Sequence, residues 1–209
     1  MFLCRFCLVL SLVILAVLPA KADDSEIIWM IDNSGSTFLA YGGIVAEGRV
    51  PRSEVIRRAG ETARNAHPYT YGWVVPWSSS VDALSLWKPE ERLSEILGSP
   101  RSATFPGRAL KQVRGLFDTM RCRQIVVLVD GQIQDMIDFR NQSQLVVEDG
   151  GWVAVFVLRT DPDHEAVLRD FMAEDLGERY SVHSLSESVL LDRVSELVRL
   201  AAECSRYMM

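Results

Sequence analysis

The string Asp32-Asn33-Ser34-Gly35-Ser36-Thr37 places one carboxylate and three hydroxyls around a glycine. Oxygens at alternate positions of a tight turn can converge on one point. Hard oxygen donors of this kind suit Mg2+, Mn2+ or Ca2+. The same residue types also cap turns and helix starts, by accepting from backbone N–H groups. A second aspartate, Asp130, ends the apolar run Ile125-Val126-Val127-Leu128-Val129 and is followed by Gly131. Asp135, a little further on, reads as a capping or surface acid. Other chemistries lack their parts. His67, His164 and His183 are scattered, with no CxxC and no cysteine–histidine cluster, so zinc and a histidine-based triad have little support. No phosphate loop and no acid–base pair of carboxylates stands out.

The elements that must position these aspartates are legible as alternating patterns. Ile27 to Ile31 is a continuous apolar run ending at Asp32. Gly72 to Val75, Ile125 to Val129, Trp152 to Leu158 and Tyr180 to Leu185 follow. Runs without polar alternation suit strands buried on both faces of a parallel sheet. Ser80 to Trp87 reads as a return strand, antiparallel at an edge. Helical faces lie between: Ile56, Ala59, Gly60 and Ala63; Leu110, Val113, Phe117 and Met120; Val167, Leu168, Phe171 and Met172, stopped near Gly177; and Leu190, Val194, Leu197 and Ala201, after a Ser184…Glu187 capping box. A short helix is expected within Pro89 to Leu97, and a long loop over Phe38 to Arg52. This alternation implies an α/β fold: a doubly wound, mostly parallel sheet of about six strands, flanked by helices. Ligands of such sheets bind at the carboxyl ends of the strands, where Asp32 and Asp130 fall. Trp73, Trp77 and Trp87 cluster around the second strand and read as core and edge packing.

Together the motifs resemble the von Willebrand factor type A (vWA) domain family. Its metal-ion-dependent adhesion site (MIDAS) has the pattern Asp-x-Ser-x-Ser, a distant Thr and a distant Asp. Here Asp32-x-Ser34-x-Ser36 follows the first strand. Thr104-Phe105-Pro106-Gly107-Arg108-Ala109-Leu110 matches the family's Thr-x-x-Gly-x-Ala-Leu, and Asp130-Gly131 matches its last ligand. The resemblance spans roughly Glu26 to Cys204. It implies that Ser34, Ser36 and Thr104 offer hydroxyls to a divalent cation, while Asp32 and Asp130 bind it directly or through water. Such a cation, Mg2+ or else Mn2+ or Ca2+, keeps a position for a carboxylate from a partner protein. Thr37, Phe38 and Phe105 flank that position as candidate partner-binding residues. The chain departs from the family in having Ser102-Ala103 where Gly-Gly is frequent, Val129 where Thr is frequent, and a longer first loop. None of these removes a ligand oxygen.

Charge and processing signals narrow the setting. The chain has 209 residues and a net charge of −6, more negative once Arg5 and Lys21 are removed. An acidic surface argues against nucleic acid and anionic lipid. Arg5, the apolar stretch Phe6 to Ala20 and Ala20-Lys21-Ala22 form the pattern of a signal peptide cleaved after Ala22. Residues 23–209 then form a single vWA-like domain, exported to the periplasm in a bacterium and otherwise extracellular, with no later membrane insertion. Cys122 lies just before a strand, and Cys204 at the end of a helix that returns to the same edge. A bridge between them fits an oxidising compartment; two buried thiols are the alternative. The expected function is cation-dependent protein binding without catalysis. The rivals are a metal-independent scaffold and a Mg2+-dependent phosphohydrolase of the haloacid dehalogenase type. The latter needs a second carboxylate where Ser34 stands.

Overall fold

The computed structural model describes residues 26–35, 50–68, 70, 72–79, 81, 84–88, 90–99, 103–131, 133–159 and 164–207. The N-terminal segment, Ser36, Thr37, Phe38 and most of the first loop lie outside the described residues. The elements run β1 (Ile27–Asp32), α1 (Arg52–Ala66), β2 (Gly72–Trp77), β3 (Ser85–Leu86), α2 (Leu93–Ile96), α3 (Pro106–Arg114), β4 (Gln124–Val129), α4 (Met136–Glu148), β5 (Trp152–Leu158), α5 (His164–Phe171), a 3-10 helix (Glu174–Arg179), β6 (Tyr180–Leu185) and α6 (Glu187–Arg206).

Six strands form one sheet in the order β3-β2-β1-β4-β5-β6, parallel except for β3, which pairs antiparallel with β2. Every residue of β1, β4 and β5 is buried, as continuous apolar runs require of central parallel strands. The pleat sends alternate side chains to opposite faces. Ile28, Met30, Val127 and Val155 join α3, α4 and α5 through Leu110, Val113, Phe139, Val167 and Phe171. Ile27, Trp29, Ile31 and Leu128 join α1, α2 and α6 through Ile56, Ala63, Leu93, Leu190 and Leu197. Trp77 and Trp87 are buried, Trp87 edge-on against Trp29, so the tryptophans pack the core as expected.

Several boundaries differ from the sequence expectation. The return strand shrinks from 80–87 to Ser85–Leu86, and the short helix to Leu93–Ile96. α3 stops at Arg114, before Gly115, so Phe117 and Met120 pack from the following turn rather than from a helical face. The capping box is displaced: Ser186, not Ser184, accepts from the Val189 N–H, while Ser184 lies in β6 with its hydroxyl 2.6 Å from His164 Nε2. Helix α4 and the 3-10 helix were not foreseen. Cys122 and Cys204 are bridged across a sequence separation of 82. Among the described residues, no helix is long and apolar enough to cross a membrane.

Candidate metal centre

The chain runs from β1 outward to β2 and β3, then returns to place β4 on the other side of β1. The crevice at the carboxyl ends of β1 and β4 is therefore the sheet's switch point. Asp32 is the last residue of β1, and Asp130 is the residue after β4. Both are buried, at 2% and 3% exposure.

The turn after β1 is tied from several directions. The Ser34 N–H donates to Asp32 Oδ1 at 2.9 Å, closing an Asx turn. The Asn33 N–H donates to the Trp77 carbonyl, and its side-chain amide donates to the Leu97 carbonyl at 2.6 Å, latching the turn to β2 and to the end of α2. The Asp130 N–H faces Asp32 Oδ2 at 3.4 Å. Gly131, at φ 141°, turns the chain sharply away from Asp130 in a conformation that favours glycine.

This proximity has an electrostatic cost. Burial, and then the negative charge of Asp130, push the Asp32 carboxyl up from 3.8 to about 7; the Ser34 and Asp130 N–H groups oppose the shift without cancelling it. Arg52, the first residue of α1, offsets part of the negative charge: its Nη1 lies 3.6 Å from Asp130 Oδ2.

Thr104 is buried at the same edge. Its carbonyl accepts from the Gln134 N–H in the loop after Asp130, and the next N–H, of Phe105, donates to the Ser78 carbonyl beyond β2; both bonds are 2.9 Å. Ala103 sits at φ 78°, the backbone region that glycine enters without strain. The chain thus keeps a glycine-like turn before Thr104 with alanine in its place. Phe105 is half-buried under the Arg108 guanidinium, 5.0 Å from the ring centroid. Asp135 accepts from the Gly107 and Arg108 N–H groups and so satisfies the first turn of α3, in line with its reading as a capping acid.

Of the expected ligands, then, Asp32, Ser34 and Asp130 meet through direct hydrogen bonds, and Thr104 lies on the loop bonded to the segment after Asp130. Ser36 lies outside the described residues, as do Thr37 and Phe38. Sequence reasoning missed Arg52 and the latch made by Asn33. A basic side chain on a first helical turn, against the helix dipole, was the available signal for Arg52. Among the described residues, no three His, Cys, Asp or Glu side chains cluster. Two carboxylates and the hydroxyl-bearing residues Ser34 and Thr104 are donors of the kind a hard divalent cation takes.

No family model matches the sequence, and no curated protein does. Solved structures match at the level of fold. The PilB minor pilin from Streptococcus sanguinis aligns with a TM-score of 0.53 and 13% identity over 89% of this chain and 63% of the pilin. A von Willebrand factor type A protein from Catenulispora acidiphila aligns at 0.52 and 15%, over 86% of this chain and 43% of its own. The manganese-loaded TRAP protein of Plasmodium vivax aligns at 0.54 and 11%, over 85% and 74%. The chain thus spans less than two thirds of the pilin. The architecture is that of vWA domains.

Proposed function

We propose that this protein is an exported, divalent-cation-dependent protein-binding module. In this reading Asp32, Ser34, Ser36, Thr104 and Asp130 hold Mg2+, or Mn2+ or Ca2+, as a MIDAS. The cation keeps an exchangeable coordination position that accepts an Asp or Glu carboxylate from a partner protein.

The observation that carries the reading is the buried pair Asp32 and Asp130 at the switch point. A fold rarely buries two neighbouring carboxylates without compensation, because desolvation and mutual repulsion both disfavour the ionised forms. A divalent cation offsets both. The hydroxyl of Ser34, the position of Thr104 and the Asx turn supply neutral donors and order around it. A cleft of about 670 Å³ adjoins Gly131, lined by Ile133, Met136, Arg140, Arg169 and Asp170. Its lining carries two arginines against one aspartate, a charge balance that suits an acidic segment of the partner. The Cys122–Cys204 bridge and the pattern Ala20-Lys21-Ala22 support export followed by cleavage after Ala22.

The Arg52–Asp130 ion pair favours one other reading, a scaffold in which the guanidinium permanently supplies the positive charge and no metal enters. Calorimetric titration with MgCl2 and MnCl2 separates the two. The expected result is saturable binding by the wild type, lost in Asp130→Ala, with Mg2+-dependent and EDTA-sensitive capture of a partner from the native compartment. Absence of heat at millimolar cation, together with partner capture indifferent to EDTA, would establish the scaffold.

A further inference from the structure

Arg52 opens α1 directly after Pro51. A cation in the first turn of a helix opposes the macrodipole, whose positive end is there. Its placement therefore needs a compensating partner. That partner is Asp130, whose Oδ2 lies 3.6 Å from Arg52 Nη1, with the arginine side chain 18% exposed and the aspartate 3%. The Arg52 Nε is buried and makes no hydrogen bond among the described residues, so the guanidinium is held there chiefly by charge. The nearby acid Glu54 pairs with Arg57 and Arg58 further along α1 and offers Arg52 no ready alternative.

A divalent cation bound by Asp32 and Asp130 would use the same carboxylate that Arg52 faces. Two carboxylates balance a divalent cation. A guanidinium left in place would add an uncompensated positive charge in a buried setting, which is strongly disfavoured. The arginine stem is long, and its partly exposed head has a route to water.

We propose that Arg52 is a tethered competitor of the metal: it neutralises Asp130 until a divalent cation displaces it, and so sets the cation concentration at which the site loads. This inference rests on the metal reading above. Because competition is reciprocal, anything that holds Arg52 against Asp130 weakens cation binding, and cation binding frees Arg52.

The test is calorimetric titration of the wild type, Arg52→Gln and Arg52→Lys with MnCl2 and MgCl2, with Asp130→Ala as the control. Arg52→Gln should bind the cation more tightly, on the order of tenfold. Arg52→Lys, a shorter but charged competitor, should fall between the two. In EDTA, Arg52→Gln should melt below the wild type, and saturating Mn2+ should close or reverse that gap. A measurement on the wild type needs no variant: the Arg52 Nε–H resonance should shift as MgCl2 is added, and saturate with the calorimetric isotherm. Equal or weaker affinity in Arg52→Gln, or an Arg52 resonance unmoved at saturation, overturns the competition while leaving the metal site intact. Failure of both the wild type and Arg52→Gln to bind either ion overturns the metal reading and this inference with it.

Discussion

The unusual feature at the scale of single residues is that Asp32 keeps its proton to about neutral pH. An unfolded chain releases that proton near 3.8, the folded chain only near 7. Between those values the native state holds a proton that the unfolded state has lost. The contribution of this carboxyl to stability is therefore full below about 4, declines as pH rises, and levels off above about 7. At its steepest the decline is about 1.4 kcal/mol per pH unit. Urea midpoints measured across this window in EDTA should fall more steeply for the wild type than for Asp32→Asn, which has no proton to lose. Saturating Mg2+ should flatten the wild-type profile, because the cation takes over the role of the proton. Parallel profiles for the two proteins in EDTA would show that neither burial nor the charge of Asp130 holds the proton on Asp32. The aspartates were legible in the sequence because each ends an apolar run, and a run that ends in a charge marks where a buried strand meets its edge. Arg52 was not. Its guanidinium reaches Asp130 from 78 positions away, and no local periodicity records such a reach.

The elements were legible in proportion to how cleanly each one divides polar from apolar. β1, β4 and β5 are apolar but for Asp32 at the end of β1 and Gln124 at the start of β4, and all three lie buried in the sheet, as their composition demands. Helix α4 was missed for the opposite reason. Its buried face includes Ser143 beside Phe139 and Val146, while Ile137 is 77% exposed, so the helical period is blurred at both ends of the polarity scale. Yet α4 decides the site's geometry, because α3 docks on it through Gly107. A Cβ added there would sit 2.4 Å from the Phe139 nitrogen and 2.7 Å from the Asp138 carbonyl carbon, both backbone atoms. Two effects compete in Gly107→Ala. Helix propensity favours alanine by about 1 kcal/mol. The clash costs roughly 2–3 kcal/mol or more, since backbone cannot step aside as a side-chain tip can. The clash wins, so the variant should unfold at lower urea. Because the separation of α3 from α4 also sets Thr104, which precedes α3, cation affinity should drop with it. A variant as stable as the wild type would mean that α3 slides on α4 at no cost. The glycine itself was readable from the sequence; its reason lay in a helix that was not.

At the scale of the whole molecule, the functional and the stabilising chemistry occupy opposite edges of the sheet. The carboxylates stand at the carboxyl ends of β1 and β4. Cys122 precedes β4 at the amino edge, where the far end of α6 arrives to bring Cys204 within bonding distance. With its ends 82 positions apart, the bridge removes loop entropy from the unfolded chain equivalent to roughly 4 kcal/mol in the chain-entropy account. In the native state it joins α6 to the turn that enters β4. Replacing both cysteines by serine should therefore lower the urea midpoint by a large fraction of total stability, a few kcal/mol for a fold of ordinary marginality. The same replacement should leave the cation dissociation constant within about threefold of the wild type, because distant sites with no shared partner contribute independently. The comparison is informative in both directions. If stability fell and affinity were kept, the sheet would be acting as a rigid spacer between staple and site. Loss of affinity alongside stability would instead mean that α6, which packs on α1 across the sheet face, transmits strain to Arg52 and thence to Asp130.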